Sequence, residues 1–390
     1  MTASAVALSA CSSSKKTTGT GLGGGSSATT TNQTYKIGFI AALSGPNAQL
    51  GINERNGAKL AVDQANSSGK YKFKVTLDPV DSEGDPAKAP AAATQLISDP
   101  TVIAVIGPAF SGESKAVDGN FCGASPSIPI VTASASNAKL STLGFTCWHR
   151  IIPNDNVEGS QGADWLARTK AKKVYVLNDL STYGQGVATT MADELKAKGV
   201  SVVTNGVDGV TTKNYGPIAQ TIAASGADAL FYGGYDTAAA ALAKALVGAG
   251  FHGRTVTGNG GKSSTFTTGS GTAGDGWYFT CGCQDATVAP SAKAFATAYQ
   301  TAFSTPPSTY SPEAYDAANL LIDSISKASA SATATRTSVM TALNAEDFKG
   351  ITTDIKFQPN GEVVASNLIV NLFQQKNGAI VGLGDINQQN

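Results

Sequence analysis

Histidine is almost missing from this chain: His149 and His252 are the only two among 390 residues. A histidine-based metal centre or a Ser/His/Asp triad would have to use one of them, and neither shows paired-ligand spacing. His149, set between Trp148 and Arg150, reads as structural. No nucleophile has an adjacent base, so an enzyme is not expected, and neither is a cofactor or a metal. Charge of one sign is missing as well. Twenty-eight Lys and Arg balance twenty-eight Asp and Glu, and no basic block exceeds Lys15-Lys16 or Lys172-Lys173. The footprint of a nucleic-acid partner is therefore absent. No stretch is apolar and long enough to span a bilayer. What remains is an ordinary apolar share over a length that suits two domains.

The first eleven residues, MTASAVALSAC, end in Leu8-Ser9-Ala10-Cys11. This resembles a bacterial lipobox, an apolar residue and two small ones before the cysteine that takes the lipid. The expectation is a truncated lipoprotein signal over 1–11, because no Lys or Arg precedes a short apolar run. Cys11 would then be the lipidated first mature residue and the only membrane anchor. Residues 12–34, SSSKKTTGTGLGGGSSATTTNQT, hold almost no large apolar group and are expected to form a flexible tether. Gly19-x-Gly21-x-x-Gly24 formally matches a dinucleotide fingerprint, but no strand precedes it and no amphipathic helix follows.

From Tyr35 onward short β-branched runs alternate with longer amphipathic segments, which predicts an α/β fold with parallel-rich sheets flanked by helices. Strands are expected at 35–43, 72–81, 101–108 and 128–134, with helices over 53–65, after Asp85-Pro86, and from about Ser114. After Pro153 the rhythm restarts: a helix through Trp165, strands at 173–179, 200–205, 227–234 and 254–259, and helices over 185–198, 217–224 and 237–248. Two similar halves follow in tandem. Open sheets of this kind bind ligands outside the carboxyl ends of their strands. Those ends are small, hydroxylated or aromatic here: Ser44-Gly45-Pro46, Gly107 to Gly112, Thr132 to Ser136, Asp179 to Gly184, Gly233 to Asp236 and Gly258 to Gly261. Loops rich in N–H groups and hydroxyls suit a carboxylate without any arginine.

IGFIAALSGPNAQLG, IPIVTASAS, LNDLSTYGQG, LFYGGYD and YSPEAYDAANLL together resemble the branched-chain amino acid binding proteins of bacterial ABC transporters, the type I periplasmic binding fold. The similarity runs from Tyr35 to about Gly384. It implies two Rossmann-like lobes joined by three crossovers, near 151–153, 280–285 and 357–361. Lobe I would take 35–152 plus 285–357, and lobe II 153–284 plus 358–390. Helices over 292–303 and 312–327 and the segment 336–347 would return to lobe I, and a strand at 367–373 would finish in lobe II. By the same resemblance Ser111, with neighbouring N–H groups such as that of Gly112, receives the ligand carboxylate. Ala133, Ser134 and Ser136 supply the second loop, with a backbone carbonyl and a hydroxyl. Tyr183 and Tyr235 cover the ligand on closure, and Leu50 replaces an aromatic contact.

One departure bears on the cargo. The loop around Asn259 lacks the acid that relatives binding α-amino acids place there, and a buried ammonium without a carboxylate loses several kcal/mol. Either Asp236 replaces that acid or the ligand has no ammonium; as an aspartate after a strand, Asp236 equally reads as a helix cap. The expected ligand is a branched-chain or other neutral amino acid, then a short amide, a urea-like solute or a small carboxylate. The expected role is that of an extracytoplasmic, lipid-anchored, monomeric solute-binding protein that serves an ABC permease, the alternative being a ligand-sensing module of the same fold. Four cysteines besides Cys11 allow three disulfide pairings. Cys122 with Cys147 and Cys281 with Cys283 are favoured, the second against an awkward i, i+2 geometry.

Overall fold

The computed structural model describes residues 33–364 and 368–390; Cys11, the lipobox and most of the expected tether lie outside them. Residues from Gln33 to Asn390 form one compact unit. Its first sheet is made by β1 (Gln33–Ala41), β2 (Phe73–Asp81), β3 (Val102–Ile106), β4 (Ile130–Thr132) and β5 (Trp148–Arg150), in the order β2-β1-β3-β4-β5 and parallel throughout. Helices α1 (Ala48–Ser67), α2 (Ala89–Ser98) and α3 (Ser111–Gly123) connect its first four strands. Every residue of β3, VIAVI, is buried, as a strand covered on both faces by helices requires.

The chain then leaves this sheet. After α4 (Asp155–Arg168) come β6 (Lys173–Asn178), α5 (Thr182–Ala197), β7 (Ser201–Gly206), α6 (Gly216–Ala224), β8 (Ala229–Gly233), α7 (Asp236–Gly248), β9 (Arg254–Thr257), α8 (Ser264–Ser270) and β10 (Tyr278–Cys281). Helices α9 (Lys293–Phe303), α10 (Ser311–Ala328) and α11 (Arg336–Asn344) return to the first sheet. Next come a small hairpin, β11 (Asp347–Lys349) with β12 (Asp354–Lys356), and finally β13 (Asn371–Lys376) and β14 (Ala379–Asp385). The second sheet runs β14-β13-β10-β9-β8-β6-β7, with β13 and β14 antiparallel.

Several elements differ from the sequence expectation, each for a local reason. The last strand begins at Asn371 and not 367, and a further strand follows it. The turn Asn377-Gly378 has positive φ at both residues (52° and 77°), the backbone a two-residue hairpin demands. The short strand β5 is invisible as a pattern because its Arg150 is buried through partners distant in sequence. Residues 361–363 run beside β5, with Arg150 N donating to Gly361 O at 2.9 Å and Val363 N to Arg150 O at 3.2 Å. Glu362, just past the expected crossover at 357–361, still forms a parallel bridge with Arg150 of β5. Helix α1 starts five residues before the expected 53, which brings Leu50 into its first turn.

Close backbone contacts fix the frame. A Cβ on Gly57 of α1 would sit 2.0 Å from the Ser311 carbonyl of α10, so only glycine lets these helices approach so nearly. Cys122 bonds Cys147 (Cα–Cα 5.3 Å) and Cys281 bonds Cys283 (Cα–Cα 5.0 Å). His149 is buried, with Nε2 2.7 Å from Asn344 Oδ1 and Nδ1 3.3 Å from the Ile130 carbonyl, a packing role.

Candidate functional site

In each sheet the strand order reverses around one strand. From β1 the chain steps to β2 on one side and then to β3 on the other; from β6 it steps to β7 and then to β8. The loops leaving β1 and β3, and those leaving β6 and β8, therefore diverge and open a crevice at each sheet's carboxyl edge. The two crevices meet. The space between their walls, about 270 Å³ with part of it open to solvent, is lined by Leu50, Glu54, Ala109, Phe110, Ser111, Ser134, Ser136, Tyr183, Tyr235, Asn259, Gly260 and Tyr310.

On the first-sheet side, Gly107 adopts φ +105°, and a Cβ there would meet the Ile40 carbonyl at 2.4 Å. Glycine thus permits the turn that places Ala109, Phe110 and the start of α3 at the cavity. The amide of Phe110 donates to Glu113 Oε2 at 3.2 Å, which fixes the helix entry. Ser111 Oγ accepts from the Asn137 amide at 3.1 Å, which leaves its own proton for another acceptor. Ser134 Oγ donates to the Ala109 carbonyl at 2.7 Å, and Thr132 Oγ1 donates to the Pro108 carbonyl at 2.8 Å, tying the two loops together. Ser136 Oγ is buried with no hydrogen-bond partner among the described residues. Two serine hydroxyls and the N-terminal amides of a thirteen-residue helix thus converge on one wall. An anion placed there meets donors and the positive end of a helix dipole.

The second sheet contributes aromatic cover. Tyr183 stands in the first turn of α5, capped by Ser181, whose hydroxyl accepts from the Gly184 amide at 2.9 Å. Its own hydroxyl accepts from the Gly260 amide at 3.2 Å. Tyr235, just before α7, lies 5.4 Å from the Tyr183 ring and 5.0 Å from Phe110, ring centre to ring centre. Burial pushes the phenols of Tyr183, Tyr235 and Tyr310 well above their ordinary value, so all three stay neutral. Asn259 is held by Glu158, whose carboxylate accepts from its backbone and side-chain nitrogens and from Thr280 Oγ1. Burial lifts Glu158 to about 7, against these bonds.

Of the residues named from sequence, Leu50, Ser111, Ser134, Ser136, Tyr183, Tyr235 and Asn259 line the cavity, while Gly112, Ala133 and Asp236 do not. Gly112 faces Pro86 and Thr182 from the next helical position, and Ala133 is packed in the core. Asp236 is fully buried behind Tyr235, where it accepts from Ser263 Oγ and from the Thr237 amide at 2.8 Å. That is the helix-end arrangement and not a cavity wall. Ala109, Phe110 and Gly260 lie in loops that the sequence marks as ligand-facing, whereas Glu54 and Tyr310 were not singled out. Glu54 lies four residues past Leu50 on the same face of α1, a spacing that the sequence shows without showing that the face is buried. It is fully buried, and neither carboxyl oxygen has a hydrogen-bond partner among the described residues. Burial pushes it up to about 8; the nearby Ser134 hydroxyl, committed to the Ala109 carbonyl, opposes this only in part. No group of three or more metal-ligating side chains occurs among the described residues.

Comparison with known proteins agrees with this architecture. The sequence profile of the family described as periplasmic binding protein matches residues 34–379. The Leu/Ile/Val-binding protein BraC3 of Rhizobium johnstonii is 31% identical over 328 residues, 84% of this chain and 87% of its own length. The branched-chain amino acid transporter substrate binding protein LivJ from Streptococcus pneumoniae, solved in complex with isoleucine, superposes with a TM-score of 0.81 at 25% identity. It covers 90% of this chain and 100% of its own. An ABC transporter solute binding protein from R. palustris, solved with benzoate, has a TM-score of 0.79 at 20% identity over 90% of this chain and 96% of its own, a likeness of fold alone.

Proposed function

Because this chain belongs to the periplasmic binding protein family, we propose that it is the extracytoplasmic solute-binding component of an ABC importer, taking a small amino acid-like ligand between two lobes and delivering it to a permease. The observation that carries this reading is the cleft built from both sheets, with hydroxyls and a helix N-terminus on one side and tyrosines on the other. The carboxylate sits against Ser111, Ser136 and the amides that open α3; the apolar end faces Leu50 and Phe110. The first sheet with α9 to α11 forms one lobe and the second sheet the other. Contacts across the cleft hold the closed form: Asn137 Nδ2 donates to the Thr182 carbonyl at 2.7 Å and Thr237 Oγ1 to the Pro46 carbonyl at 2.8 Å. The ligand favours closure because only the closed form lets both walls touch it.

The protein acts as a monomer, performs no chemistry on its solute, and is tethered to the membrane by a lipid on Cys11. No helix among the described residues is long and apolar enough to cross a membrane. Mass spectrometry of gently purified protein, followed by a thermal-shift panel of neutral amino acids, amides and small carboxylates, tests the reading. A ligand present at a hundredfold over its Kd stabilises the folded form by about 2.7 kcal/mol, a shift of several degrees. A panel in which no amino acid raises Tm, or in which a solute is consumed, refutes it.

A further inference from the structure

We propose that Glu54 is the ammonium-binding residue of the cleft, so that the ligand is a zwitterionic amino acid whose positive end is held from α1 and not from the loop at Asn259. This deepens the reading above and rests on it. The loop at Gly258-Asn259-Gly260 offers no acid of its own, and the other buried carboxyls near the cleft are committed or face elsewhere. Glu158 is occupied by Asn259 and Thr280, Asp236 by Ser263 and Thr237, and Asp179 by the Ser181 amide and hydroxyl. Asp155 has unpartnered oxygens but opens on a separate space lined by Asn137, Thr182 and Gln185. Among the described residues, Glu54 alone combines a place in the cavity wall, full burial and two oxygens without partners.

Its neighbours fit the role. Ser134 lies beside it in the same cavity that Ser111 and the start of α3 line, so the two charges of an amino acid meet an acid and hydrogen-bond donors in one small space. The charged groups acting on Glu54 are Glu113 and Glu313, both acidic, and Tyr310 stands over the same cavity as a neutral phenol. An uncompensated carboxylate here is costly, which is why burial lifts it to about 8 in the ligand-free chain. An ammonium removes that cost. Binding an amino acid at pH 7 should then release a proton from Glu54.

The test uses the full chain and two probes, leucine and 4-methylpentanoate, which is leucine without its amino group. Wild type should prefer leucine by about a hundredfold or more, because the analogue leaves a buried carboxyl unpaired. Glu54→Gln should lose that preference by weakening leucine alone, whereas Asp155→Asn should keep it. Calorimetry in phosphate and in Tris should show proton release on leucine binding to wild type and none in Glu54→Gln. Wild-type leucine affinity in the glutamine variant, or loss of preference in Asp155→Asn instead, overturns the assignment of Glu54. If Glu54→Gln does not fold, wild type decides, since equal affinity for the two probes overturns the inference. A wild type that binds no amino acid at all overturns the reading of ligand class and this assignment with it.

Discussion

At the scale of single residues, the cavity wall separates groups that touch a solute from groups that only hold the wall. Ser111 keeps a proton to donate because its oxygen already accepts from Asn137. Ser111→Ala should weaken the preferred ligand by about 1.5–3 kcal/mol, the worth of a hydrogen bond to a charged group. Tyr235→Ala should cost tenfold or more, since it strips aromatic cover between Phe110 and Tyr183. Asp236→Asn should leave affinity within a few-fold while lowering Tm, because its carboxylate serves Ser263 and the start of α7. Titration calorimetry and thermal unfolding on the same three variants check this division. The same residues show what could be read beforehand. Ser111, Tyr183, Tyr235 and Asn259 lie in or just past the loops that leave β3, β6, β8 and β9, where a doubly wound sheet opens its crevice. Glu54 lies within a helix, and an acid among the buried residues of a helix is visible only once α10 is known to cover it.

At the scale of elements, Arg150 joins pieces that are far apart in sequence. Its guanidinium is fully buried at the end of β5. It pairs with Glu362 and donates to the carbonyls of Ala135 and Asn137, each at 2.9 Å. The Ser136 loop is therefore clipped to the residues that precede the final passage into the second sheet. Replacing Arg150 by Met leaves the buried Glu362 without its cation and removes the guanidinium's bonds to two carbonyls, which should cost about 3–5 kcal/mol. Arg150→Met with Glu362→Leu should recover part of that loss. Urea unfolding of the single and double variants measures the difference, and additive losses would show that the pair does not act as a unit. This clip explains why β5 escaped the sequence. The pattern of Trp148-His149-Arg150 is neither alternating nor apolar, and only a partner more than two hundred residues away makes it a buried strand. The hairpin β13–β14 was legible in principle, since Asn377-Gly378 carries the turn chemistry openly.

At the scale of the whole molecule, the interior holds an unusual number of acids. Burial lifts Glu54, Asp155 and Glu313 to about 8, Glu113 and Glu158 to about 7, Asp179, Asp236 and Asp316 to about 6, and Asp118 well above its ordinary value. A carboxyl whose folded value exceeds its unfolded one binds its proton more tightly in the fold. The stability it contributes is complete below about pH 4 and is lost as pH rises through the folded value. His149, buried neutral, works the other way below its ordinary 6.5, but it is one group against nine. The ligand-free Tm should therefore fall by several degrees between pH 5 and pH 8. A Tm that is level or rises over that range would show that these acids do not carry their protons. The double-sheet plan itself was readable from the alternation of strand and helix. The acidic interior was not, because a glutamate in a helix looks the same from sequence whether it faces water or a neighbour. The cleft, finally, turns affinity into a matter of time. A solute touched by both walls is released more readily once the bonds from Asn137 to Thr182 and from Thr237 to Pro46 give way. How long a molecule stays is then governed by how often the two halves part, so the protein works as a clock whose tick belongs to the hinge.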